Sequence, residues 1–148
     1  MEFLTAKLSE KRELLRTKFE EFTINYISEW LDKVEATERL YDVILKFKST
    51  LKSDKKDRVE IANTVYGRLV YTFHCYDYLD CLNDLAKILS DTLKVYCENA
   101  TVIYSGNSLK ILFSVSKAEE WIYDYIEEIV EYIIKEFENY VLDITVPF

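Results

Sequence analysis

Glycine and proline are almost missing from this chain: two glycines and one proline in 148 residues, roughly 2% where about 12% is usual. All-β architectures need many such residues in their turns, so the shortage excludes them. Two glycines are also too few for a phosphate-cradling loop or a dinucleotide fingerprint. Histidine occurs once, at His74. With no second histidine and no C-x-x-C pair, the usual zinc patterns are excluded. Glutamine is absent and Met1 is the only methionine. That depletion of heat-labile residues fits a protein of a thermophile, or of an archaeal virus or plasmid living in one. No apolar run reaches 18 residues, so neither a transmembrane helix nor a membrane partner is expected. Met1 to Arg16 carries interspersed charge and no apolar core, so no signal peptide is expected and the cytoplasm, or a host's cytoplasm, is the expected compartment. Cys75, Cys81 and Cys97 allow at most one internal pair. On a single helix Cys75 and Cys81 stand about 9 Å apart along the axis, too far to bond; buried thiols are expected instead.

What is present is a composition for a packed core: 49% hydrophobic and 31% charged residues, at a length that suits one domain over 1–148. Apolar residues recur every three or four positions at Leu4, Leu8, Leu15, Phe19, Phe22, Tyr26, Trp30 and Val34, which predicts one long helix or a kinked pair over 4–35. The pattern continues over 37–52 with Leu40, Val43, Ile44, Phe47 and Leu51. Ser53 to Asp57 reads as a loop. Helix is predicted again over 57–93, broken near Gly67 or Cys75, because a continuous rod would run about 55 Å. Its second part has Leu79, Leu82, Leu85, Ala86, Leu89 and Leu93 on one side and Asp77, Asp80, Asp84, Lys87 and Asp91 on the other.

The character changes over 101–115. Two β-type runs flank Gly106-Asn107, a two-residue hairpin signal. On that register Val102, Tyr104, Leu109, Ile111, Phe113 and Val115 share an apolar face. A lone hairpin is marginally stable, so it must pack on helices or pair with another chain. Ser116 and Glu119 then form a capping box. A last helix is expected to about Tyr140, with Ile122, Ile126, Ile129, Ile133, Phe137 and Tyr140 as its buried stripe. The apolar tail from Val141 to Phe148 is expected to fold back as a strand or cover. The fold class expected is therefore mainly α, a bundle of four to five helices with one β-hairpin insertion.

The net charge of −8 is unevenly placed. Residues 1–60 hold 13 basic and 13 acidic side chains, 61–115 hold 4 and 5, and 116–148 hold 2 and 9. The last helix thus carries nearly all the imbalance, through Glu120, Asp124, Glu127, Glu128, Glu131 and Glu138. Such a stripe suits a partner with a basic surface, including one that normally holds nucleic acid. The opposite pole is Lys46, Lys48, Lys52, Lys55, Lys56 and Arg58, which suits phosphates or the acidic helix of a second copy. For a dedicated nucleic-acid binder the chain is too acidic, and it carries no zinc-finger, basic-zipper or RNP signature.

Two spacings bear on catalysis. Arg68-Leu69-Val70-Tyr71-Thr72-Phe73-His74 resembles the R-x(4–6)-H motif of HEPN-domain ribonucleases, small helical bundles that dimerise. That resemblance implies metal-independent RNA cleavage at a dimer interface, with Arg68 stabilising phosphate charge and His74 as acid/base. His74, Asp77, Asp80 and Asp84, with Glu128 and Glu131 on the last helix, are similar to the paired carboxylate motifs of all-α pyrophosphohydrolases, which hold magnesium. The same spacings arise on the wet face of any amphipathic helix, and the leading expectation has no metal and no cofactor.

Aromatic residues make up 15% of the chain, with 12 tyrosines. Tyr66, Tyr71, Tyr76 and Tyr78 cluster in the middle, and Tyr123, Tyr125 and Tyr132 flank the acidic stripe. Tyrosine is favoured at protein interfaces. The leading expectation is a non-catalytic regulator or inhibitor that binds a protein partner through Glu120, Asp124, Glu127, Glu128, Glu131, Tyr123, Tyr125 and Tyr132. The alternatives are the ribonuclease of Arg68 and His74, and a nucleic-acid-binding subunit using the Lys46 to Arg58 cluster. A homo-oligomer is compatible with each.

Overall fold

The computed structural model describes residues 2–51, 56–62, 67–74, 79–97, 99–105, 108–114 and 121–145. The protein is mainly helical, as its periodicity predicts, with the hairpin in the expected place. In order, the described elements are α1 (Glu2–Ser9), α2 (Arg12–Ser28), α3 (Lys33–Leu51), β1 (Lys56–Ala62), β2 (Gly67–His74), α4 (Leu79–Leu93), β3 (Thr101–Ser105), β4 (Ser108–Ser114) and α5 (Trp121–Thr145).

The first helical stretch is a kinked pair. The chain turns at Glu10 and Lys11, where the Lys11 amide donates to the Leu8 carbonyl at 3.4 Å. Two long-range bonds pin this corner: Lys11 Nζ donates to the Val95 carbonyl at 3.0 Å, and the Tyr96 hydroxyl donates to the Leu8 carbonyl at 2.8 Å. α2 stops at Ser28 and a new helix starts at Lys33. Asp32 dictates that start, because its Oδ1 accepts the Val34 amide at 2.8 Å and satisfies an orphan donor of the first turn. Val34 is therefore a first-turn residue of α3 and is 61% exposed, not part of the buried stripe expected for it.

The helix expected over 57–93 is corrected. Its first part is two antiparallel strands, β1 and β2, paired from Lys56↔Phe73 to Ala62↔Gly67. β2 also pairs with β4, from Arg68↔Ser114 to His74↔Ser108, and β4 pairs with β3. The result is a four-stranded antiparallel sheet in the order β1-β2-β4-β3. Val59, Ile61, Val70, Tyr71, Thr72 and Phe73 are β-formers whose preference is realised only when partner strands exist. Pairing of β2 with β4 also gives the hairpin at 101–115 the support it needed.

Helix α4 retains the amphipathic part of the reading. Ala86, Leu89 and Leu93 are buried, along with Ile88 and Thr92, while Lys87 and Asp91 face solvent. In the hairpin Val102, Leu109 and Ile111 are buried as expected, but Tyr104 is 46% exposed. β3 is an edge strand, and Tyr104 lies at its rim. Gly106-Asn107, Val115, and the Ser116 to Glu119 capping box lie outside the described residues, as does Cys75. The register Ser105↔Ser108 nonetheless leaves the two-residue connection that Gly106-Asn107 predicts.

The last helix runs to Thr145, so Val141 to Thr145, expected as part of a strand or cover, are helical, and residues 146–148 lie outside the described residues. All six expected stripe residues of α5 are buried, and Val130, Ile134 and Val141 form a second buried row. One core joins α5 to α1, α2, α3, α4 and the inner residues of the β3–β4 hairpin. Phe137 is its centre, 5.0 Å from the Phe19 ring and 6.0 Å from the Phe22 ring. Tyr125 interrupts the helical backbone (φ −121°, ψ 19°), which puts a kink after the first turn. Cys97 is buried at the end of the α4 region. Among the described residues, no helix is long and apolar enough to cross a membrane.

Candidate functional site

The acids of α5 divide by position. In the C-terminal part each of three carboxylates meets a cation from a neighbouring helix. Arg12 Nε lies 3.3 Å from Glu136, Arg16 Nη2 3.2 Å from Asp143, and Lys48 Nζ 3.0 Å from both carboxylate oxygens of Glu138. Glu138 is the most enclosed of the three, with 14% of its side chain exposed, so its pairing matters most. Arg16 also lies 5.3 Å from the Tyr140 ring centroid. Burial raises the Tyr140 hydroxyl above the ordinary tyrosine range, and burial together with the Glu136 charge does the same for Tyr132.

The N-terminal part is different. Asp124 and Glu131 are exposed, and Glu127 and Glu128 are half-exposed. Asp124, Glu128 and Glu131 recur at spacings of four and three, so they form one stripe about 10 Å long on the open side of the helix. Asp124, in the first turn, is favoured by the helix dipole. Tyr125 and Tyr132 border the stripe and are half-buried. Tyr123 belongs to α5 but its side chain lies outside the described set, and so does Glu120 altogether.

The basic pole is dispersed. Lys46 lies 2.9 Å from Asp42 on its own helix, and Lys48 is held by Glu138. Lys56 and Arg58 are on β1, while Lys52 and Lys55 lie outside the described residues. Arg68 and His74 sit at opposite ends of the β2 ladder, not on a helix. On a strand their Cα atoms stand roughly 20 Å apart, where a helix would place them about 9 Å apart. Of the carboxylates matched to metal-binding motifs, Asp84 is committed elsewhere and Asp77 lies outside the described residues.

Asp84 belongs to a groove that the sequence does not announce. The groove, about 670 Å³, runs between α2, α4 and β3 and is lined by Phe22, Tyr26, Glu29, Asp84, Asp91 and Tyr104 among others. At its α3 end the Tyr26 hydroxyl lies 3.5 Å from Asp84 Oδ2, and Arg39 Nε lies 3.8 Å from the same oxygen. The Arg39 guanidinium stacks 5.6 Å from the Trp30 ring, and Trp30 lies 5.9 Å from Tyr26. Burial raises the Asp84 carboxyl above its ordinary range, against the pull of Arg39 and Lys87. Burial, reinforced by Asp84, pushes Tyr26 up to about 12. The local signals were Tyr26 on the α2 stripe and Asp84 on the polar side of α4; that they meet each other and Arg39, from a third helix, is not written in either pattern.

Comparisons with protein families, with curated proteins and with solved structures return no match for this chain. Among the described residues, fold and surfaces define a mainly helical protein with a four-stranded sheet, an acidic stripe on α5 and a mixed-charge groove. Among the described residues, no group of three or more histidine, cysteine, aspartate or glutamate side chains is disposed to hold a metal ion.

Proposed function

We propose that this protein is a non-catalytic regulator or inhibitor that docks on a basic protein surface, of the kind that otherwise holds nucleic acid. The docking element is the N-terminal half of α5, with Asp124, Glu127, Glu128 and Glu131 supplying the charge and Tyr125 and Tyr132 the flanking contact area. The observation that carries this reading is the sorting of charge along α5. Glu136, Glu138 and Asp143 are tied to cations of α2 and α3, and Asp124, Glu127, Glu128 and Glu131 crowd four acids and no base into eight residues of the N-terminal part, all of them exposed or half-exposed. A stripe of one sign speeds encounter with a surface of the other sign and selects against like-charged partners.

The test is affinity capture from the native host with mass measurement of the complex. Capture at low salt, weakened at 0.5 M salt and lost in Asp124→Lys with Glu128→Lys, is the expected result. Capture unaltered by the double reversal overturns the reading. An RNA cleavage assay on the same material separates the ribonuclease alternative, which requires activity that disappears in His74→Ala.

A further inference from the structure

Among the described residues no strand pairs with the outer edge of β3, and the ladder says which backbone groups that edge offers. In a hairpin with a two-residue connection the closing pair, here Ser105↔Ser108, exchanges both hydrogen bonds. The alternation then makes Ile103↔Lys110 and Thr101↔Leu112 hydrogen-bonded pairs, so the N–H and C=O groups of Val102 and Tyr104 face away from β4. β3 is the last strand of the sheet. Among the described residues, no hydrogen bond fills those outward positions. Unpaired strand edges are templates for another strand.

This edge is a wall of the groove described above, whose lining includes Val102, Ile103 and Tyr104. Ile103 and Tyr104 are both nearly half exposed, so an added strand would find apolar surface beside the backbone groups. The facing walls carry Glu21, Glu29, Asp84 and Asp91, against Lys87 and Arg39. The groove is therefore net acidic. β3 itself, Thr101–Ser105, bears no charge.

We infer that the β3 edge accepts an extended segment of a partner protein with lysine or arginine at alternate positions, which adds a fifth strand and places its basic side chains against the groove acids. A second copy of this chain is the poorer occupant, because pairing β3 with β3 brings two acidic groove walls together. Main-chain bonds would supply the register and the alternate basic side chains the selectivity. The residues involved are distinct from those of the α5 stripe, so the inference goes beyond the proposed function and does not depend on it.

The experiment uses the full chain carrying Asp124→Lys with Glu128→Lys, which removes the α5 stripe as a competing site. The probe is a 10-residue peptide alternating lysine and threonine, with a glutamate–threonine peptide as its counterpart. Amide exchange and amide chemical shifts are read by NMR. The expected result is slowed exchange at the Val102 and Tyr104 amides with the lysine peptide only. Affinity should fall at least tenfold in Glu29→Lys with Asp91→Lys, and in Tyr104→Pro, which deletes one outward N–H without touching the ladder. Should Tyr104→Pro disturb the sheet, the charge-reversal variant decides. Three results overturn the inference: equal binding of both peptides, lysine-peptide binding that leaves Val102 and Tyr104 unperturbed, or protection of those amides without peptide in a species of doubled mass.

Discussion

The two halves of α5 are written in the same alphabet of isoleucine, tyrosine and acid, yet they do different things. From about Tyr132 onward the helix is clamped: Phe137 packs on Phe19 and Phe22, and the carboxylates of Glu136, Glu138 and Asp143 each meet a cation. Before that point the buried face is just as apolar, through Ile122, Ile126 and Ile129, but four acids fall within eight residues, exposed or half-exposed, and the backbone kinks at Tyr125. The same residue type is tied into the fold where α2 or α3 brings an arginine or lysine to it, and at Asp124, Glu127, Glu128 and Glu131 it gathers as four acids with no base between them. Composition alone does not distinguish the two; the positions of Arg12, Arg16 and Lys48 do.

The comparison can be broken most forcefully in the clamped half. Phe137→Ala should cost about 3–5 kcal/mol by urea denaturation, since it empties the centre of the core. Ile126→Ala should cost less, about 2–4 kcal/mol. A reversed order would place the anchor of α5 in the wrong half.

High pH sharpens the picture from outside α5. Tyr26 titrates near 12 in the folded protein, and burial also raises Tyr96. Above pH 10 the unfolded chain loses these protons while the folded chain keeps them, so the unfolded state binds fewer protons and stability falls as pH rises. Each such tyrosine contributes at most about 1.4 kcal/mol per pH unit, and for Tyr26 the window runs from 10 to about 12. Urea midpoints taken between pH 9 and 11 should fall less steeply in Tyr26→Phe than in the wild type. The stripe reversal Asp124→Lys with Glu128→Lys should leave that slope alone.

Lys48→Met should cost about 1–3 kcal/mol, because it strands the enclosed Glu138 carboxylate without its partner. Stability restored by adding Glu138→Met would confirm that the pair, and not the lysine stem, is responsible. Thr23→Val should stabilise by about 1 kcal/mol: the Thr23 hydroxyl on α2 is buried with no hydrogen-bond partner among the described residues. Smallest of all, the stripe reversal should change stability by less than about 1 kcal/mol, as surface substitutions do. A larger loss would mean that these acids hold the fold together as their C-terminal counterparts do.

The periodic parts of the sequence were readable because burial writes itself locally. All six expected residues of α5 are in the core, and the hairpin stands at the predicted place with the predicted two-residue connection. The misreading of 57–74 has the opposite cause. Val70 to Phe73 satisfy a helical pattern as well as an extended one, and what decides is pairing with β4, some 40 residues later in the chain. The acidic stripe was visible as charge, but its division was not, because Arg12, Arg16 and Lys48 reach α5 only through the fold. The groove was hidden for the same reason. Tyr26, Arg39 and Asp84 are each unremarkable on their own helix, and their meeting is a property of three helices at once.

The proposal that a basic partner docks on the N-terminal half of α5 is tested most directly by binding of a fluorescent polylysine probe at 50 mM salt. Wild type is compared with Asp124→Lys plus Glu128→Lys and with Glu10→Lys plus Glu38→Lys, an equal charge change at exposed acids elsewhere. The first variant should lose at least tenfold in affinity and the second much less. Equal losses in the two variants would show that only the overall charge matters, and would contradict the proposal.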